Sequence, residues 1–312
     1  MPKENAKILA QDFVEGELRG KKSHGLMAFL PFVEKLNKTE AKYTILKETD
    51  SFIYIDANGD FGSIIGRTIS KKLINKAAKQ GVGFASIREM RSWLRPANIA
   101  EYIAEHKMIG LVTNTGGVPK ISPPGGKEPV VGTNPIGIGI PKENGTVLID
   151  MATSSRAWGE VRVAKQNGHP LPNNAFLDKD GKITTNPDLA HSAIGAGGYK
   201  GFGLALFIEI LNGAFVNMSM GKTNKSQDYY KRSRGASIMV FNPEFTVGID
   251  RFAHDTELFI QNIASSGTAK DNGTIRIPGE NSKQVKARHL VNGYLEIDDE
   301  LWKKILLMTK QY

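Results

Sequence analysis

His24 has the local setting for proton chemistry: it lies in Arg19-Gly20-Lys21-Lys22-Ser23-His24-Gly25, ahead of an apolar run through Leu26, Phe29, Leu30, Val33 and Leu36. That pattern predicts a helix capped by Ser23. A histidine at a helix start sees the positive end of the dipole, which lowers the imidazole pKa and favours the neutral form. With Gly25 leaving room beside it, His24 can act as a general acid toward a carbonyl, or it can simply help to cap the helix. Lys200, in Gly197-Gly198-Tyr199-Lys200-Gly201-Phe202-Gly203, is the second candidate. Glycines on both sides let backbone approach a ligand, and the lysine can meet phosphate or carboxylate as a point charge, or belong to an ordinary surface loop. Asp150 closes an apolar strand and can accept ribose hydroxyls or start a turn. Pro278-Gly279-Glu280 is a further strand-to-helix turn whose amides can face a ligand or only turn the chain.

Several chemistries are excluded. The chain has no cysteine, so thiolate nucleophiles, thiolate metal sites and disulfides are absent. The six histidines show no metal-ligand spacing and there is no HExxH pattern, so no metal site is expected. No GxSxG elbow supports Ser-His-Asp hydrolysis. Gly137-Ile138-Gly139 is followed by Ile140-Pro141-Lys142, which lacks the third glycine of the Rossmann fingerprint and puts a proline where the receiving helix would begin.

The elements that must position these groups are legible in outline. Ile8 to Leu18 reads as a short helix, and Phe52 to Ile55 as a strand. Ile65, Ile69, Leu73 and Ala77 mark a helix stopped by Gly81. A strand Phe84 to Ile87, a helix opened by Pro96 and a strand Ile109 to Thr113 follow. This alternation predicts an α/β sheet. Residues 116–201 are glycine- and proline-rich, with strands Ile136 to Ile140 and Val147 to Ile149. Glycine weakens a strand, so Gly137 and Gly139 at alternate positions imply that something lies close against that face, and the segment reads as a wall of a cofactor site. Gly203 to Leu211 predicts a buried apolar helix with Glu209 as its one charge. Ala236 to Phe241 and Thr274 to Ile277 read as strands; Phe252 to Ile263, Lys283 to Val291 and Asp298 to Thr309 read as helices.

At 312 residues the chain can hold one large domain or two ordinary ones. No run is read as reaching transmembrane length and the N-terminus has no apolar signal core, so a cytoplasmic protein is expected. The net charge of +9 is mostly scattered lysine, and its one dense block, Lys222 to Arg234, lacks any nucleic-acid-binding pattern. Nucleic acid is not an expected partner.

Five segments together resemble the malate/L-lactate dehydrogenase family typified by sulfolactate, ureidoglycolate and diketogulonate dehydrogenases. They are ELRGKKSHG, GGKEPVVGTNPIGIGIP, LIDMATSSRAWGEV, GYKGFGLALFIEILNG and IRIPGE, in order along nearly the whole chain. The resemblance starts late, because the family usually has another helix before the position of Ile8. It implies a non-Rossmann α/β fold of the malate/L-sulfolactate dehydrogenase type, with an irregular cofactor-binding middle inserted between α/β ends. The corresponding division is 1–106 with 249–312 as the substrate and dimerisation domain, and 107–248 as the NAD(P)-binding domain. It also implies a homodimer that reduces 2-oxo acids, or cyclic imino acids in one branch, with NAD or NADP as cofactor.

Carried over by position, His24 matches a proposed proton donor, with Ser23 and Lys200 beside it in the catalytic set. Asp150, Met151, Ala152, Thr153, Lys200, Gly201, Gly279 and Glu280 match cofactor-contacting positions, and Asn114, Thr133 and Asn134 lie in matching strand-end turns. Two departures stand out. An arginine that the family commonly places three or four residues after SHG is replaced within Met27-Ala28-Phe29, and a second family histidine is replaced by Ser92. Serine cannot serve as a proton reservoir near neutrality. Arg95 is the expected substitute for carboxylate binding, with Ser92 lining the same pocket. The expected activity is reduction of a 2-oxo acid. Reduction of a 2-imino acid, or a cofactor-binding protein that no longer catalyses, are the alternatives.

Overall fold

The computed structural model describes residues 1–33, 42–223, 234–269 and 273–309. Two helices, α1 (Lys3–Leu18) and α2 (Leu26–Val33), are joined by a 3-10 turn at Lys22–His24. Then come β1 (Thr44–Glu48), β2 (Phe52–Asp56), α3 (Gly62–Gln80), β3 (Val82–Met90), α4 (Pro96–Glu105) and β4 (Ile109–Asn114). The middle holds the hairpin β5 (Ile136–Lys142) and β6 (Gly145–Met151), helix α5 (Gly159–Asn167), short strands β7 (Phe176–Leu177) and β8 (Ser192–Ala193), and α6 (Tyr199–Leu211). The chain ends with β9 (Arg234–Phe241), α7 (Ile249–Ala264), α8 (Glu280–Asn292) and α9 (Asp299–Thr309).

Seven strands form one sheet in the order β1-β2-β3-β9-β4-β5-β6. Only β2 and β3 run parallel; the other neighbours are antiparallel. Helices α3 and α4 cover one face, where Ile53, Ile55, Ile65, Ile69, Leu73, Ile87, Ile103, Val112 and Ile238 make a continuous core. β9 sits between β3 and β4 and so joins residues 44–90 to residues 109–151 in a single hydrogen-bonded layer. The α/β class read from the alternating pattern is present. β1 carries no alternation, since all five of its residues are exposed, and it was not anticipated. Residues Thr274 to Ile277, expected as a strand, are irregular.

The close approach demanded by Gly137 and Gly139 comes from α4, not from a ligand. A Cβ on Gly137 would lie 2.7 Å from the backbone of Pro96 and Ala97, and one on Gly139 would lie 2.6 Å from the carbonyl carbon of Ala100. The two missing side chains let α4 lie directly on β5, and the expectation of a cofactor wall is corrected accordingly.

Helix α6 is not buried as its composition suggests. Leu204, Leu206, Phe207 and Ile210 are exposed, and Phe207 keeps 58 % of its surface. By length and composition the stretch Tyr199–Val216 could cross a membrane, contrary to the expectation that no run would. The helix itself has 13 residues. At 1.5 Å per residue that is roughly 20 Å, against about 30 Å of hydrocarbon. The basic block Lys222 to Arg234 falls largely in residues 224–233, outside the described residues.

Candidate active site

His24 is set by the packing of α1 against α2. Leu9, Phe13, Ala28, Phe32, Phe61, Ile64 and Leu94 form a separate apolar cluster that clamps the two helices and the start of α3. Gly16 permits the turn between them to fold back, since a Cβ there would lie 2.7 Å from the His24 carbonyl oxygen. Ser23 does not cap α2. The Leu26 amide instead donates to Glu17 Oε1 at 2.7 Å, and Ser23 Oγ lies 3.0 Å from His24 Nδ1. The hydroxyl can donate to or accept from Nδ1, so it holds the ring in either tautomer.

The expected lowering of the His24 pKa is present, to about 4, but with a different cause. Burial is the largest contribution; the cations Arg95, Lys21 and Arg162 add to it, and Asp150 opposes it. The helix dipole is not needed, because His24 ends the 3-10 turn and Gly25 separates it from α2. The imidazole is therefore neutral at pH 7.

Asp150 reaches this site because of the α4–β5 contact. Gly137 pairs with Asp150 in the hairpin, and α4 begins immediately over Gly137. Arg95, the residue before Pro96, thus meets Asp150 Oδ2 through Nε at 3.0 Å and through Nη2 at 2.9 Å. Arg95 is only 4 % exposed, and its Nη1 is buried without a partner. Ser92 shapes the approach: its Oγ accepts from the Leu94 amide at 3.2 Å, holding Leu94 at φ 62° just before Arg95. Ser92 and Arg95, expected to line a substrate pocket, are both buried, and Arg95 is committed to Asp150.

The strand-end turns carry internal structure. Asn114 Oδ1 accepts from Trp93 Nε1 at 2.7 Å, and its Nδ2 donates to the Thr115 carbonyl. Asn134 Oδ1 accepts from the Gly116 amide, while its Nδ2 donates to Ala205 O and Glu209 Oε2, all at 2.7 Å. Both of its Nδ2 hydrogens are used within the protein. Glu209, the only acidic residue of α6, is the hub here and also accepts from the Gly132 and Gly221 amides. Composition marked Glu209 only as an oddity; its role depends on loops far away in sequence.

The remaining cofactor candidates do converge. Thr153 donates through both its amide and Oγ1 to the Thr133 carbonyl at 3.0 Å, and its own carbonyl accepts from Ala196. Gly201 packs against Thr153 and Ala196 so closely that a Cβ would lie 2.6 Å from the Thr153 carbonyl oxygen. This brings Asp150, Met151, Ala152 and Thr153 beside the start of α6 and its exposed Lys200. Gly197 and Gly198 turn with φ 62° and 71° into open space, and no side chain caps α6. The Tyr199 and Lys200 amides at the start of α6, with the exposed Lys200 side chain, are groups able to meet an anion such as a pyrophosphate, so the residues present are compatible with a dinucleotide. Gly279, at φ 85°, packs on Leu148 two residues before Asp150, which places Gly279-Glu280 along the flank of β6. Among the described residues, no cluster of potential ligands could hold a metal ion.

Helix α5 was missed in the glycine-rich middle. Val161 and Ala164 bury one face, and Gly159 on the opposite face lies against Ser23, where a Cβ on the glycine would stand 3.8 Å from Ser23 Cβ. Nothing in the local sequence signalled that this helix would flank His24.

The family model for malate/L-lactate dehydrogenase matches residues 1–306. The chain is 32 % identical to L-sulfolactate dehydrogenase of Methanothermobacter thermautotrophicus, over 100 % of this chain and 91 % of that one. It is 25 % identical to ureidoglycolate dehydrogenase (NAD(+)) of Escherichia coli K12, covering 98 % of this chain and 89 % of that one. The solved sulfolactate dehydrogenase from Methanocaldococcus jannaschii superposes with a TM-score of 0.88 at 30 % identity, covering 97 % of this chain and 89 % of that one. A fold, a converging set of motif residues and a match along nearly the entire length agree, and the chain belongs to the malate/L-lactate dehydrogenase family of oxidoreductases.

Proposed function

We propose that the protein is an NAD(P)H-dependent reductase that converts the carbonyl of a 2-oxo acid to a 2-hydroxy acid, and catalyses the reverse oxidation. The observation that carries this reading is the neutral His24 held by Ser23 next to the Asp150–Arg95 pair, with Lys200 and the first amides of α6 beside the same strand end. Lys200 with the first-turn amides of α6 would hold the pyrophosphate, and Thr133, Ala152 and Thr153 the adjoining parts of the dinucleotide. When bound, the nicotinamide supplies or accepts the hydride. His24 exchanges the proton at the substrate oxygen. In the oxidative direction a neutral imidazole is the competent base. In reduction the substrate carboxylate, by its negative charge, raises the His24 pKa and favours the donor form.

One observation favours a second reading, reduction of a 2-imino acid. With a pKa of about 4, His24 is a scarce acid at neutral pH, and Ser92 offers no substitute. An iminium carries its own proton and needs less assistance than a ketone. Residues 107–248 hold most of the cofactor candidates and form the NAD(P)-binding part in this reading, with 1–106 and 249–312 as the substrate and dimerisation part. The exposed apolar face of α6, continued by Phe215, supports a homodimer, and the protein is proposed to be cytoplasmic.

The test is titration with NADH and NADPH followed by nicotinamide fluorescence, for the wild type and Lys200→Ala. Turnover of oxaloacetate, 3-sulfopyruvate and a cyclic 2-imino acid is assayed in parallel. Saturable binding weakened by the substitution, with turnover of an oxo acid, is the expected result. Turnover of the imino acid alone selects the second reading. Nucleotide binding without any turnover selects a cofactor-binding protein, and absence of binding refutes the oxidoreductase reading.

A further inference from the structure

Neither position expected to supply an arginine for the substrate's acid group beside His24 offers a free one. The family arginine after SHG is replaced, and Arg95 is spent: two of its nitrogens lie on Asp150, it is 4 % exposed, and its free Nη1 is sealed from solvent. A carboxylate arriving beside His24 cannot reach it.

Helix α5 faces the same histidine. Gly159 lies against Ser23, while Val161 and Ala164 point to the opposite side into their own apolar cluster. Residues three apart on a helix share a face, so Arg162 stands one turn beyond the Gly159–Ser23 contact. It is exposed, and it makes no ion pair or hydrogen bond among the described residues. The neighbouring Arg156 lies outside the helix, before Gly159, and Lys165 is turned to Asp188 at 3.2 Å. With no side chain at Gly159, α5 approaches the Ser23–His24 turn closely, a Cβ there standing 3.8 Å from Ser23 Cβ.

We propose that Arg162 is the residue that binds the carboxylate adjacent to the reacting carbon, taking the place of the arginine missing after His24. The inference rests on the reading of the site as a 2-oxo or 2-imino acid reductase and names its acid-binding residue. A guanidinium can engage a carboxylate through two parallel hydrogen bonds, fixing the plane of the acid and hence the face of the carbonyl or imine presented to the hydride. Its position across from Ser23 puts the carbonyl oxygen on the His24 side. Electrostatics agree with the placement, since Arg162 is among the cations that depress His24. A bound carboxylate would neutralise Arg162 and so relieve that depression, coupling acid binding to the protonation of His24.

The test compares wild type, Arg162→Gln, Arg162→Lys and, as a control on the exposed cation at the other side of His24, Lys21→Ala. Binding of oxalate, a non-reacting dicarboxylate, to the protein–NADH mixture is followed by nicotinamide fluorescence, and the His24 titration by NMR in the absence of any ligand. Steady-state constants are taken for whichever acid the wild type turns over. The expected result is a loss of oxalate affinity of about tenfold or more in Arg162→Gln. KM rises correspondingly with a smaller change in kcat, Arg162→Lys recovers part of the loss, and Lys21→Ala leaves oxalate affinity little changed although it too raises the His24 pKa. The His24 pKa rises in Arg162→Gln whether or not the protein has activity. Unchanged oxalate affinity and an unmoved His24 in Arg162→Gln overturn the proposal, as does a wild type that fails to bind oxalate. A wild type that binds oxalate through Arg162 but reduces no acid leaves this assignment standing and refutes the catalytic reading instead.

Discussion

The Arg95–Asp150 pair should be strongly asymmetric toward truncation, and the asymmetry can be worked from burial. Asp150→Ala strips the partner from a guanidinium that is 4 % exposed, whereas Arg95→Met leaves an aspartate whose side chain is 23 % exposed and can be re-hydrated. An uncompensated buried charge costs about 3–5 kcal/mol. The partial exposure of Asp150 brings the expected cost of Asp150→Ala to the low end, about 3 kcal/mol, against roughly 1 kcal/mol for Arg95→Met. For a chain of 312 residues the unfolding entropy is about 0.65 kcal/mol per kelvin, so the first change lowers Tm by about 5 °C and the second by less than about 2 °C. The double variant removes the stranded charge and should be more stable than Asp150→Ala alone. Thermal unfolding followed by circular dichroism, without nucleotide and at one scan rate, measures all three. Equal losses from the two single variants, or a double variant as unstable as their sum, would refute the argument that Arg95 depends on Asp150. NMR adds a second reading. Asp150 alone among the charges acting on His24 raises its pKa, so Asp150→Ala moves His24 further below about 4.

Gly139→Ala should be among the most damaging single-methyl changes in the sheet, because the new Cβ meets the Ala100 backbone, which cannot move without lifting α4. A loss of about 3 kcal/mol or more is expected, with Arg95 displaced, and denaturant midpoints test it. In the oxidative direction activity needs the neutral His24. The pH profile of kcat/KM should therefore stay level down through the usual histidine range and fall only near pH 4, and His24→Gln should lower kcat about 10²–10⁴-fold. An inflection near pH 6.5 would show that His24 is not depressed in the working enzyme. The buried Asp12 has its pKa raised, chiefly by burial against the hydrogen bonding and charge of Ser63, Arg67, Asn98 and Arg95. A raised carboxyl contributes stability fully below its unfolded pKa and loses it as pH rises through the folded value. Asp12→Asn should accordingly raise Tm at pH 8 and give less benefit at pH 4.

Several expectations that followed from local rules are present in the molecule. The periodicity of Ile65, Ile69, Leu73 and Ala77, the stop at Gly81 and the proline opening α4 depend on backbone sterics and on one buried face, and both are written in neighbouring residues. The motif segments pointed to the family for the same reason: spacing within a turn is local.

What failed depended on partners distant in the chain. The alternate glycines of β5 correctly demanded a close neighbour, but only packing showed that the neighbour is α4. The apolar α6 looked like core, yet tertiary structure leaves much of its apolar surface exposed and uses Glu209 to tie Gly132, Asn134 and Gly221 together. Asn134 is tied into that network by its side chain. His24 was expected to be neutral and is, though burial and surrounding cations supply the shift in place of a helix dipole. By itself the sequence determined residue types, the elements with a clear apolar period or cap, and the family, because these rest on patterns along the chain. The tertiary structure alone decided which charges meet, since desolvation and Coulomb interactions depend on separation in space; Arg95 thereby became the partner of Asp150, and Arg162 came within electrostatic reach of His24.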